Sequence, residues 1–390
     1  MKHLQRRWGY HLPVLLCLIL IAILIWLPTG YEDALVYQES DIQPARVLSC
    51  DNSTIIDTGL VRSGEQRCEL EILSGLFAGQ TATGVNMLNG SLEQDKVFEV
   101  GDTALVRINY DGEEILSVSM IDHYRVPGEL LLAGLFCALL LLFAGQTGLR
   151  ALLSFVLAIL TIWKVLVPCF LRGWNPVWVG LGVVLLITVA VVTMVYGFDR
   201  RALAAIAGCA LGIAVTCITG ILFTTSFKIH GAVMSYSESL LYAGYQYLDL
   251  TQIFMASIFI GASGAVMDLA VDITSAVHEV VEKKPEIGWR EAVRSGMTVG
   301  RAALGTQTTT LLLAYSGGFI ALMMVFMAQG TPLSTIFNLK YVASEILHTV
   351  VGSFGLCTVA PLTALTSGIL LTRGRRAGAA PAKPESAEQV

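Results

Sequence analysis

The chain of 390 residues is 54% hydrophobic and only 14% charged, with a formal net charge of −5. Soluble globular proteins carry about a quarter charged residues, whereas this chain contains almost uncharged runs that are long enough to cross a bilayer. The composition excludes a soluble enzyme, a nucleic-acid-binding protein and a disordered regulator, and it predicts a multi-span membrane protein. The eight Cys residues form no CxxC motif and no Cys/His cluster, so we expect neither a metal site nor a cofactor.

The first apolar run is Leu12–Leu27, and three basic residues precede it within the first seven positions. It resembles a signal peptide in length, but no small-residue cleavage site follows it. We therefore interpret residues 1–29 as a cytoplasmic N-terminus and an uncleaved membrane anchor.

Residues 30–127 have a different character, with 17 acidic and 6 basic residues. In the segment Arg67–Ile72, apolar and charged side chains alternate, which is the period of a half-buried strand. Asp111-Gly112 is a typical hairpin turn. We expect a small antiparallel all-β domain of about five strands, and a barrel-like one because so short a domain must close its own sheet edges.

Apolar runs resume after residue 128 and predict a seven-helix membrane domain over 128–373. The predicted spans are Leu130–Ala144, Leu149–Cys169, Val177–Tyr196, Ala202–Thr225, Gln252–Ile273, Gly305–Met327 and Val350–Leu371. With the anchor they give an α-helical integral membrane protein of about eight transmembrane helices, whose β domain lies between the first and second spans. Pro361 is expected to break or kink the last segment.

The distribution of Lys and Arg predicts the orientation. Fifteen of them fall on one side of the predicted spans, and only Arg172, Lys228 and Lys340 fall in the short loops opposite. Because basic residues stay in the cytoplasm, both termini are expected there and the acidic β domain outside. Residues 374–390 are rich in Ala, Pro and Glu, which predicts a disordered cytoplasmic tail.

Several sequence blocks resemble the YibE/F-like family of bacterial multi-pass membrane proteins. They are Gly261–Asp268 (GASGAVMD), Ser295–Arg301 (SGMTVGR), Leu304–Thr306 (LGT) and Thr310–Tyr315 (TLLLAY), with Glu71–Gly75 and Val100–Asp102 in the β domain. Two positions depart from the family pattern, since Ala302 stands where an Asp is usual and Thr309 where an Asn is usual. The resemblance implies a multi-pass protein of the bacterial cell membrane with an outer β domain. For function, the resemblance implies no more than a general transport role.

Asp268 and Asp272 are the main candidates for a functional site. They lie four residues apart and therefore project from one helix face. An ionised carboxylate at the bilayer centre costs ~2.5–3.5 kcal/mol on insertion scales, so acids within spans usually serve a pathway. Two neighbouring carboxylates suit proton or cation exchange. Alternatively, both are rim residues that cap a helix or pair with Arg294 or Arg301.

Small and hydroxyl-bearing residues surround these acids in the sequence. The small residues expected to let helices approach closely are Gly261, Gly264, Gly296, Gly300 and Gly305. The hydroxyl groups expected as partners of Asp268 belong to Thr306, Thr309 and Tyr315. Alternatively, the threonine hydroxyls bond to carbonyl oxygens of their own helix.

Two further pairs are candidates. Glu345 and His348 are three residues apart, on one helix face near the mouth of the last span. They form either a cation vestibule or a set of solvated rim charges. Cys50 and Cys68 are the only Cys residues of the outer domain and could form a disulfide in an oxidising compartment, unless Cys68 is simply a core residue.

These patterns favour a secondary transporter or permease for a small solute or ion. The alternative is a non-transporting assembly or regulatory protein whose outer β domain binds a partner while the spans act as an anchor. No nucleophile with a neighbouring base is recognisable, so we expect no enzyme and no catalytic residues. The expected partners are the lipid bilayer, an unknown small solute or ion, and a second copy or another protein; nucleic acid is not expected.

Overall fold

The structure, a computed structural model, describes residues 2–31 and 40–376; the side chains of residues 2–11 and 374–376 are not described. The strands are β1 (Ser40–Asp51), β2 (Ile56–Asp57), β3 (Arg62–Ile72), β4 (Thr81–Asn89), β5 (Thr103–Asp111) and β6 (Glu114–His123). The helices are α1 (Lys2–Trp26), α2 (Val126–Thr161), α3 (Val167–Leu171), α4 (Pro176–Tyr196), α5 (Arg200–Ser226), α6 (Ser237–Tyr242), α7 (Leu250–Lys283), α8 (Trp289–Ser316), α9 (Ile320–Ala328), α10 (Leu333–Asn338) and α11 (Lys340–Arg376). Of the predicted tail 374–390, residues 374–376 form the end of α11 and residues 377–390 lie outside the described residues.

The chain divides into two compact units. One spans Gly30–Phe143, and the other contains α1 and the helices after residue 143. The last strand ends at His123 and α2 begins at Val126, close to the predicted domain boundary at residue 127. The first half of α2 nevertheless belongs to the unit that contains the strands.

Five of the six strands form a barrel. β1 pairs with both β5 and β3, β3 pairs with β4, and β5 with β6, all antiparallel. One parallel pair, β4 with β6, closes the ring, and the short β2 lies beside β3. Five long strands in this Greek-key order have the topology of an OB-fold barrel. The expected barrel-like β domain is therefore confirmed, although its placement outside the cell stays a prediction.

The alternation seen in the sequence of β3 is realised in the barrel core. Cys68, Leu70 and Ile72 are no more than 1% exposed, while Arg67 and Glu69 face outward. The β5–β6 hairpin pairs Asp111 with Glu114, so the hairpin forms where it was expected, but its two turn residues are Gly112 and Glu113, one position after the expected start.

Six helical stretches are long and apolar enough to cross a membrane, among the described residues. They are Val126–Leu171, Pro176–Tyr196, Arg200–Ser226, Leu250–Lys283, Trp289–Ala328 and Lys340–Arg373. The apolar part of α1, Leu12–Trp26, is shorter than 18 residues. The second and third predicted spans lie together in the 46-residue stretch Val126–Leu171. That stretch has a non-helical residue, Gly145, at φ 54° and ψ −125°.

Three helices are longer than the apolar runs that predicted them. α7 continues to Lys283 and α8 begins at Trp289, so the charged segment between the two spans is mostly helical. The Lys283 amine lies 2.6 Å from the Glu279 carboxylate one turn earlier, a pairing that supports a helix in water. α11 continues through Pro361 as one helix.

The helical core is centred on α7, which packs against α4, α5, α8 and α11. Val266, Leu269 and Ile273 of α7 are fully buried. α11 lies so close to α5 that a β-carbon at Gly212 would stand only 2.8 Å from the β-carbon of Val359. α11 also approaches α8 and α7 closely, since a β-carbon at Gly352 would stand 2.9 Å from Leu311 and 3.3 Å from Ala262.

Candidate functional site

Asp268 and Asp272 both lie on the exposed face of α7, opposite its buried face. Neither carboxylate has a hydrogen bond or a salt bridge to another described residue. Four pockets formed by described residues are lined by other side chains and do not contain Asp268. In a single copy of the chain, this face can therefore meet lipid, water or another protein.

The expected hydroxyl partners of Asp268 are bonded elsewhere. Thr306 donates to the Ala303 carbonyl at 3.0 Å and Thr309 to the Gly305 carbonyl at 2.9 Å. A Thr hydroxyl readily reaches a carbonyl one turn earlier in its own helix, so these groups need no partner from α7. The hydroxyl of Tyr315 lies at Gly261, about two turns away from Asp268 along α7.

The five glycines expected at helix contacts differ in their surroundings. A β-carbon at Gly300 would lie 3.0 Å from Ala360 and 3.1 Å from Ile273, and one at Gly296 would lie 2.7 Å from Val277. The Gly261 position faces Tyr315. Positions Gly264 and Gly305 have no atom within 4 Å of a built β-carbon, so they face open space in this chain.

A polar cluster lies where α7 begins, α8 ends and α11 begins. We call Ser257, Tyr315, Glu345 and His348 the His348 cluster. The His348 Nε2 atom lies 3.0 Å from Ser257 Oγ, and its ring stacks on Tyr315 with centroids 5.6 Å apart and planes 15° apart. The structure thus brings together three residues singled out in the sequence, namely Tyr315 of α8 and Glu345 and His348 of α11.

The hydrogen bonds around His348 indicate which ring nitrogen donates and which accepts. Ser257 donates its hydroxyl hydrogen to the Phe254 carbonyl at 2.7 Å, so it accepts from His348 Nε2. The other nitrogen, Nδ1, then has a lone pair in the neutral ring, and it faces a Glu345 oxygen at 4.0 Å. At 4.0 Å the two acceptors are too far apart to share a hydrogen bond directly, but a small donor or a cation between them could contact both.

Two buried atoms of the cluster lack partners among the described residues, the Glu345 Oε1 and the Tyr315 hydroxyl oxygen. The side chains of His348 and Glu345 are only 19% and 17% exposed. Because buried polar atoms are nearly always hydrogen-bonded, these two atoms mark a place where water, an ion or a solute can bind. The arrangement can therefore accept an ion or a small polar ligand.

Sequence reasoning missed Ser257 and Gln307. Ser257 precedes Gly261 by one turn of α7, so a helical projection of that face would have found it. Gln307 carries a buried amide oxygen without a partner among the described residues. Its signal was an amide side chain among the small and hydroxyl-bearing residues in the second half of α8.

In the barrel, Cys50 and Cys68 face each other across β1 and β3. Cys68 donates its thiol hydrogen to the Cys50 sulfur at 3.1 Å, and both are free thiols in the structure. Burial and the neighbouring thiol raise the pKa of Cys68 to about 12. The pair has the cross-strand position that a disulfide requires.

Residues 132–373, more than half of the chain and most of its helical part, match the family model described as YibE/F-like protein. The strands of the barrel precede the matched residues. Comparisons with curated proteins and with solved structures gave no match. The chain therefore belongs to the YibE/F-like family.

Proposed function

We propose that this protein is a secondary transporter or permease for a small solute or ion, and that the His348 cluster is its proton- or cation-exchange site. The observation that carries the proposal is the apposition of His348 and Glu345, at 4.0 Å, inside a bundle of apolar helices. Ionisable residues within membrane spans generally serve transport pathways or proton relays.

The proposal includes a topology of eight spans in the bacterial plasma membrane. Residues 126–144 and 146–171 would cross separately on either side of Gly145, and α1 would be the first span. Both termini would be cytoplasmic and the OB-fold barrel outside, as the distribution of Lys and Arg favours. The barrel, with its acidic composition, would be unsuited to nucleic acid.

The test is transport by the purified full-length protein in liposomes. A panel of small solutes and ions is screened for uptake and efflux, with a pH-sensitive dye inside the vesicles to record coupled proton movement. Glu345→Gln keeps the shape of the side chain but removes its charge. We expect this variant to lose coupled proton movement, whereas the matched control Glu238→Gln, an exposed acid on the short helix α6, should retain it.

The non-transporting alternative makes the opposite prediction. If the helices only anchor the barrel, no solute in the panel should cross faster than in protein-free liposomes. If a substrate is found and Glu345→Gln transports it with unchanged proton coupling, the His348 cluster is not the exchange site.

A further inference from the structure

A surface cavity of about 380 Å³ lies between the end of α5, the short helix α10 and the start of α11. Its walls include the apolar side chains of Phe227, Phe337 and Ile346. Two lysines, Lys228 and Lys340, also line it. The cavity is therefore amphipathic, with a charged rim and an apolar wall.

Neither lysine amine has a carboxylate within salt-bridge distance among the described residues. Lys340 instead lies 5.3 Å from the centroid of the Tyr341 ring. Glu345, further along α11, is turned towards His348. The cavity thus combines two positive charges that no described acidic side chain balances.

The backbone at Lys228 has a left-handed conformation that residues with a side chain rarely adopt. Lys228 has a φ of 54° and follows the end of α5, where its N–H bonds to the Thr225 carbonyl and that of Ile229 to the Thr224 carbonyl. Glycine is the usual residue at this position of a helix end. Lys228 adopts this left-handed conformation at a cost in free energy, and its side chain lines the cavity.

Lys340 is the first residue of α11, and the first turn of that helix contains no acidic residue. Because the N-terminus of a helix carries a partial positive charge, a lysine at this end is electrostatically unfavourable unless an anion is nearby. The two lysines and this helix end therefore all favour an anion at the same rim.

We propose that this cavity binds an anionic phospholipid, with the phosphate group between Lys228 and Lys340 and the acyl chains along the apolar wall. Both lysines lie at ends of candidate membrane-spanning helices, where lipid headgroups are found. Basic pockets between membrane helices bind lipid headgroups elsewhere by the same chemistry. This site is separate from the His348 cluster and does not depend on transport.

The test titrates the detergent-solubilised full-length protein with short-chain phosphatidylglycerol and follows its thermal unfolding. We expect stabilisation by phosphatidylglycerol and much less by phosphatidylcholine of the same chain length. Lys228→Gln and Lys340→Gln should each weaken the apparent affinity for phosphatidylglycerol about fivefold. Lys340→Arg should keep it, and Lys96→Gln, which removes a charge from the barrel, is the matched control.

Three results would overturn the proposal. One is equal stabilisation by the two lipids, and another is an unchanged affinity in both single variants. The third is equal protection by inorganic phosphate alone, which would identify a site for a free anion. If a lysine variant unfolds too easily for melting experiments, native mass spectrometry of retained lipid compares it with wild type.

Discussion

The hydroxyl of Tyr315 lies directly against the backbone of Gly261, so that a β-carbon at residue 261 would overlap it. This contact between α8 and α7 positions the Tyr315 ring on His348. Only a residue without a side chain can stand at 261 while the ring keeps its place.

Gly261→Ala should therefore displace Tyr315 and disturb the His348 cluster. Overpacking a well-filled contact costs about 1–3 kcal/mol, so we expect a lower melting temperature together with loss of transport. Gly264→Ala is the control, because its β-carbon would enter open space. Equal effects of the two substitutions would contradict this account of the contact.

Asp268→Asn and Asp272→Asn test the exposed face of α7. If Asp268 carries coupling charge, its substitution should abolish proton- or cation-coupled activity while expression and membrane insertion remain normal. Asp272 lies nearer the end of the span and should matter less. The measurement is coupled uptake in liposomes, and full activity of a well-expressed Asp268→Asn variant would remove the carboxylate from the mechanism.

A disulfide between Cys50 and Cys68 is the third prediction. The cross-strand pair closes a loop of 18 residues in sequence, and such a bond stabilises a fold by ~3 kcal/mol in the loop-entropy model. In protein isolated without reductant, neither residue should react with a thiol reagent after denaturation. Labelling of both residues in that sample would rule out the bond.

The pKa of Cys68 gives a related expectation for the reduced protein. Because the thiolate is the reactive form and the pKa of Cys68 is raised to about 12, the folded, reduced barrel should alkylate slowly at Cys68 near neutral pH. The rate should increase as the pH rises towards that value. Mass spectrometry of the labelled peptides distinguishes Cys68 from Cys50.

Acid should loosen the turn that follows β4. The carboxylate of Asp95 accepts hydrogen bonds from the N–H groups of Asn89 and Ser91 at 2.9 and 2.8 Å, and these bonds hold the pKa of Asp95 below its ordinary value. A lowered pKa means that the stabilisation is present above the unfolded-state pKa and is lost as the pH falls through the folded-state value. Hydrogen exchange at the two amides should therefore lose protection in acid, relative to a matched Asp95→Asn variant that lacks the transition.

The sequence by itself determined the class of the protein and the outline of its barrel. Apolar runs must leave water, and strict alternation in β3 must place Cys68 and Leu70 on one side, whatever their partners are. The face of a helix or strand on which a residue lies depends only on local periodicity. These features could therefore be predicted without knowing which segments meet.

Only the tertiary structure decided which polar groups are neighbours. Ser257, Tyr315 and His348 come from three helices whose crossing depends on side-chain packing along their whole length, and no local pattern contains that information. Thr306 and Thr309, by contrast, follow the local alternative, because a Thr hydroxyl readily reaches a carbonyl one turn earlier in its own helix. Likewise, the cavity lined by Lys228 and Lys340 lies between α5 and α11. These two helices are more than a hundred residues apart in sequence, and only their packing brings the two lysines together.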